Sequence, residues 1–171
     1  GVVGVDLMLA GISAFNLAVV GATGCAYRLR YDTLFRDFPY NSPLQILLLR
    51  YTQVVIRQMM YTGMCKRRHS LEQQMCRWLL SSLDRLPSMQ LKSTHKLMAE
   101  IMGADIESVS EVTHKLQDMG LVYCEHKMLS ITDRSKLEAL ACNCYRRIKQ
   151  ESESWVVHKT ETTYRPSAMT H

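Results

Sequence analysis

The chain is 171 residues long, enough for one or two domains with a buried core. Hydrophobic residues at 47% and charged residues at 22% fit an ordinary globular protein and exclude a disordered or collagen-like one. Twenty-one Lys and Arg against 16 Asp and Glu leave a net charge of +5, which permits a polyanionic partner without requiring one.

Residues 1–38 read as short strands. "GVVGVDLMLAG", "NLAVVGATG" and "CAYRLRYD" are β-branched or alternating runs, punctuated by Gly4, Gly11, Gly21 and Gly24. The chain opens on Gly1 with residues that already read as strand, so a piece missing its front is expected. Asn41-Ser42-Pro43 then marks a helix start, with Ser42 as N-cap and Pro43 in the first turn.

The spacing predicts a long helix from Pro43 to about Lys66. Leu44, Leu47, Leu48, Tyr51, Val54, Val55 and Met59 form one apolar stripe, and Ile46, Leu49, Ile56 and Met60 a second. A helix apolar on two sides needs two partners: the β-region before it, and the same helix of a second subunit. Arg50, Gln53, Arg57 and Gln58 interrupt the run well before membrane length. The basic cluster "CKRRH" (Cys65–His69) reads as a hinge. "SLEQ" (Ser70–Gln73) is a capping box, and Leu71, Met75, Trp78, Leu79, Leu83 and Leu86 recur at helical spacing up to Pro87.

From Leu91 the pattern becomes specific. Thr94 (or Ser93) caps a short helix ending at Gly103, and Asp105, with Ser108 at the third position, caps a second that stops at Gly120. Two helices crossing steeply at a tight turn need a small residue at the contact, Gly in the turn and branched apolar residues inside the second helix. Ala99, Gly103, Val109 and Val112 fill those places, which is the helix-turn-helix pattern. "LVYCEHKMLSIT" (Leu121–Thr132) follows as two strands around Glu125-His126-Lys127, a wing, and Asp133 begins a final helix through "RSKLEALACNCYRRIKQ".

The six cysteines show no CxxC, and Cys142-Asn143-Cys144 is a lone CxC. That spacing is poor for a metal, so they are expected as small core residues in a reducing, cytoplasmic compartment, with no metal and no cofactor.

From about Leu47 to Gln150 the chain resembles the C-terminal part of a Crp/Fnr-family transcription regulator. The stretches responsible are "LLLRYTQVVIRQM", "HSLEQQMCRWLLSSLDRLPS", "TGMC", "LMAEIMGADIESVSEVTHKLQDMGLV" and "DRSKLEALACNCY". Residues 1–38 resemble the back half of that family's cyclic-nucleotide-binding β-roll. The resemblance implies a mainly α fold with small β elements (α+β). It divides into an incomplete β-roll over 1–42, a long dimerisation helix and hinge over 43–68, a winged helix-turn-helix domain over 69–151, and a flexible tail over 152–171. It also implies a homodimer paired through Leu44, Leu48, Tyr51 and Val55, bound to double-stranded DNA, with RNA polymerase as a further partner. Two departures qualify it. Gly1-Val2 and Asn16-Leu17 stand where nucleotide-binding members carry Gly-Glu and Arg-Ser, so cyclic-nucleotide binding is not expected and the effector is open. In the reading helix Ile106, Glu107 and Glu111 stand where an R-E-x-x-x-R pattern is found in cyclic-AMP-binding members.

Between Met102 and Val122 the acids Asp105, Glu107, Glu111 and Asp118 face a single Lys115. Affinity for DNA comes mostly from phosphate neutralisation and sequence choice from base edges. Ile106, Glu107, Ser110 and Glu111 are therefore the expected base-reading residues. Ile106 can touch a thymine methyl, and Glu107 can accept from cytosine N4 at about 1–3 kcal/mol of discrimination. Phosphate contacts are expected from Thr94, His95, Lys96, Ser108, His114, Lys115 and Lys127, with Lys92 beside them. Arg67 and Arg68 either face the DNA backbone or form a solvated hinge. The alternative reading is a winged-helix protein-interaction module that has lost specific DNA binding. No nucleophile–base pair, carboxylate pair or phosphate loop has catalytic spacing, so no enzyme is expected.

Overall fold

In the computed structural model the described residues are 1–5, 7, 18, 20, 24–37, 42–86 and 90–157. Before the long helix they hold the short helix α1 (Tyr31–Asp37), helical positions at Val5 and Leu7 where a strand was expected, and a stretch from Gly24 to Arg30 outside any strand. This corrects the strand expected over "CAYRLRYD". An extended segment is stable only with neighbours to take up its N–H and C=O groups, and no strand is present among the described residues before Pro43. The cassette position Asn16-Leu17 lies outside the described residues, as do most of those expected in the tail.

The long helix α2 (Pro43–Arg68) starts as the sequence predicts. The Ser42 side chain accepts from the Gln45 N–H at 3.3 Å, and Pro43 occupies the first turn. It runs through the expected hinge: Cys65 to Arg68 are helical, and the chain leaves the helix only at His69 (φ −122°, ψ 152°). No helix among the described residues is long and apolar enough to cross a membrane.

Ser70 then caps α3 (Leu71–Leu83) through the full reciprocal capping box with Gln73. This helix is the central post of the core. Met75, Leu79 and Leu80 are fully buried against Val109, Leu116, Leu121, Leu129 and Leu137 from later elements. Burying one such side chain contributes about 1.5–3 kcal/mol. Trp78 packs at the edge of this cluster.

β1 (Gln90–Lys92) leads into α4 (His95–Met102) and α5 (Ile106–Asp118), and the hairpin β2 (Val122–Glu125) and β3 (Met128–Ile131) follows. β3 is the central strand, pairing antiparallel with both β1 (Leu91 opposite Leu129) and β2 (Cys124 opposite Leu129). The wing is thus three-stranded where two strands were expected. β1 has only three residues, too few for alternation to show in sequence.

The single helix expected after Asp133 is two, α6 (Arg134–Leu140) and α7 (Asn143–Val157), broken where Ala141 turns extended (ψ 145°). The break lets α7 fold back along α2. Arg57 pairs with Glu151 at 2.7 Å, while Cys65 meets Cys142, so the two helices run antiparallel. Arg134 joins Asp84, Glu138 (2.9 Å) and the Tyr145 hydroxyl (2.8 Å), pinning both helices to the end of α3. Burial, then its bond to Asp84, pushes the Tyr145 hydroxyl well above the usual phenol range.

Of the residues expected to pair subunits, Leu44 and Leu48 lie beside residues of their own chain, and Tyr51 comes close to Gly1. Leu48 is buried, Leu44, Tyr51 and Val55 are half-buried, and Leu44 and Leu48 line a hollow with Val2, Tyr31 and Leu34. The face of α2 left open carries Leu49, Ile56, Met59, Met60 and Met64, which are 44–65% exposed.

Candidate nucleic-acid interface

The helix pair is built by local chemistry. The Thr94 side chain accepts from the Leu97 N–H at 3.2 Å to start α4, and Gly103 ends it in the left-handed region at φ +58°. Only glycine adopts that conformation without strain. Lys66, from the last turn of α2, stretches across the same turn, where a side chain at residue 103 would collide with its ammonium. Asp105 then starts α5, accepting from the Ser108 N–H at 2.7 Å and the Ser108 hydroxyl at 2.8 Å. Those two bonds hold the Asp105 carboxyl below the usual carboxylate range.

Along α5 the inner stripe is Val109, Thr113 and Leu116, all at 0% exposure, with Val112 beside them. The Thr113 hydroxyl donates to the Val109 carbonyl at 2.7 Å, so its burial leaves no polar atom unmet. Ala99 is buried where the two helices touch. Ala99, Val109 and Val112 thus share one core, and Gly103 makes the turn between the two helices.

The outer stripe carries Ile106, Glu107, Glu111, His114 and Asp118, all exposed, with Ser110 half-buried at its margin. Neither Glu107 nor Glu111 is ion-paired among the described residues. Asp105 does not belong with them, because its carboxylate is consumed in the cap. Lys115 turns away from the stripe to pair with Glu72 at the start of α3, 2.6 Å distant. The helix thus presents carboxylates with no cation of its own beside them.

Cations flank it instead. Lys92, Lys96 and Lys127 are exposed. The Lys127 carbonyl accepts from the Ser93 N–H at 2.9 Å, which brings the tip of the wing to the start of α4. His126 and Lys127 form that tip with φ of +47° and +67°, the paired left-handed conformations of a tight hairpin turn. His95 and His114 meet edge to face, ring centres 6.3 Å apart, so those two predicted contacts are neighbours across the helix pair. Ser108 serves the cap and Lys115 the ion pair, so each already has a structural partner.

Sequence reasoning misses one grouping away from this face. Cys65, His69, Cys142 and Cys144 lie together where α2 meets the α6–α7 break. In sequence they read as separate core residues because the two clusters stand 77 positions apart, Cys65 to Cys142. The signal present is a Cys-x-x-x-His pair at a helix end and the CxC. Burial, then the Cys142 thiol beside it, pushes the Cys65 thiol up to about 12.

The family model for the Crp-like helix-turn-helix domain matches residues 73–140. The match runs from the first turn of α3 to the end of α6 and includes both helices and the wing. Among solved structures, a CRP-family transcriptional regulator from Thermus thermophilus is similar at 20% identity, over 62% of this chain and 56% of that one, with a TM-score of 0.53. A crp/fnr-family transcriptional regulator from Eubacterium rectale is similar at 24% identity, over 54% and 45%, with a TM-score of 0.47. The chain spans about half the length of these two proteins. No curated protein matches it.

Proposed function

We propose that the chain is the DNA-binding part of a homodimeric transcription regulator, in which α5 of each Crp-like domain enters the major groove of a half-site. The observation that supports this best is the separation of faces on α5. Its inner stripe holds the fold, while Ile106, Glu107 and Glu111 stand exposed on an outer stripe with no ion-pair partner among the described residues. Lys92, Lys96 and Lys127 supply the phosphate contacts that the helix cannot. Glu107 accepts from a cytosine amino group, and without arginine at 106 and 111 preference moves away from guanine. The subunits pair through Leu49, Ile56, Met60 and Met64, whose spacing keeps them on one face of α2.

Binding of fluorescent duplexes, drawn from a randomised pool and titrated at several salt concentrations, tests this. Affinity should fall as salt rises, and each Lys removed from the set of 92, 96 and 127 should reduce the log–log slope by about 1. A dimeric protein that bound no duplex at low salt would overturn it. The exposed acids at 107, 111 and 118 favour a second reading, a docking face for a basic protein segment. Charge reversal of the three lysines separates the two, because it abolishes DNA binding and leaves docking intact.

A further inference from the structure

Cys65 and His69 stand four residues apart at the end of α2, so their side chains share one side of the helix. Cys142 and Cys144 flank Asn143 at the start of α7. The antiparallel packing of α2 and α7 brings the Nδ1 or Nε2 of the imidazole and the three sulfurs within 4.8 Å of one another. The Cys65 and Cys142 sulfurs are 3.4 Å apart, and the Cys144 sulfur is 3.8 Å from His69 Nδ1. Exposure is 0% for Cys65, 5% for Cys142 and 8% for Cys144, with His69 half-buried at the rim.

A zinc ion in tetrahedral coordination takes Zn–S bonds of about 2.3 Å and Zn–N bonds of about 2.0–2.1 Å, which sets ligand-to-ligand edges of about 3.5–3.8 Å. The two measured separations straddle that range, and the widest pair needs to close by about 1 Å. Three thiols serving only as small hydrophobes give no reason to gather an imidazole nitrogen as well. Nor do they account for Arg77. This arginine is buried, donates from Nε to the Cys65 sulfur at 3.3 Å, and has no carboxylate partner among the described residues. A buried cation needs a counter-charge. A divalent ion bound by three thiolates and a neutral imidazole carries one net negative charge, which the guanidinium balances.

The geometry points to a structural site for one zinc-class divalent ion, held by Cys65, His69, Cys142 and Cys144 with Arg77 as its charge-balancing neighbour. On loading, each thiol releases its proton to solvent as its sulfur takes the metal, with no change of oxidation state. Four protein ligands leave no open position, so the site clamps rather than catalyses. It fastens the end of α2 to the break between α6 and α7.

Zinc content of the reduced full chain, loaded with zinc and passed over a weak chelator, tests the proposal, together with the visible spectrum after replacement by cobalt(II). One zinc per chain and the intense bands of tetrahedral thiolate-bound cobalt are expected. Cys142→Ser and Cys144→Ser should lose both signals, and Arg77→Met should weaken zinc about 10–100-fold. His69→Asn keeps a half-exposed helix cap foldable, so it should shift the cobalt spectrum in a chain of unchanged circular dichroism. Cys124→Ser in the wing should change nothing. A folded, reduced chain that retains no stoichiometric zinc overturns the proposal, as does a cobalt spectrum indifferent to His69→Asn and Cys144→Ser.

Discussion

The Crp-like domain and the long helix α2 solve the same problem in opposite ways. Around α3 every inward apolar residue finds a partner in its own chain: Met75, Leu79 and Leu80 are all at 0% exposure. On α2, Leu48 and Cys65 are buried, yet Ile56 is 52%, Met59 65% and Met60 62% exposed. One element is finished within the chain, and the other leaves an apolar face exposed among the described residues. Sequence periodicity registers both as amphipathic helices and does not say which is which.

The largest expected effect tests that contrast directly. Leu79→Ala should cost about 2–5 kcal/mol in chemical denaturation, through lost transfer energy and the cavity left behind. Ile56→Ala should stay within about 0.5 kcal/mol for the monomer and instead raise the dissociation constant of self-association in sedimentation. Equal costs at the two positions would erase the distinction. A middle-sized effect is expected inside the finished region: Gly103→Ala should cost about 1–2 kcal/mol, because φ +58° is unfavourable for any side chain. If melting shows no loss, the turn between α4 and α5 is not fixed by that conformation.

The smallest effect is electrostatic. Asp105 titrates below its usual value because the folded state hydrogen-bonds its carboxylate. Its contribution to stability is therefore fully present above the unfolded pKa near 4 and disappears as pH falls through the lower folded value. Asp105→Asn keeps a capping side chain but not the charge, so the melting temperatures of the two proteins should differ slightly near neutrality and converge in acid. A difference that grew on acidification would mean the cap does not depend on the charge.

Capping chemistry is legible in the sequence because it is local. Ser42, Ser70, Thr94, Asp105 and Gly103 each act on backbone groups within a few residues, and each is found in its predicted role. What escapes is set by distant contacts. Leu137 and Ala141 keep a helical period straight across the break at Ala141, and only the meeting of Cys142 with Cys65 explains why the chain turns there. β1 exists because β3 accepts it as an edge. Which stripe of α2 stays open is hidden for the same reason: Leu44 and Leu48 are as apolar as Leu49 and Ile56, and their occupancy depends on Val2 and Tyr31. In α5 and its N-cap, four acids look alike in sequence. The fold commits Asp105 to the cap and leaves Glu107, Glu111 and Asp118 facing outward.

The passage from α2 to α3 is only His69 and Ser70. Within one turn of it, Lys66 lies over Gly103, and Cys65 touches both Cys142 and the guanidinium of Arg77. The junction is therefore tied to three later parts of the chain, so a roll of the long helix about its own axis would move Lys66 against the turn between α4 and α5.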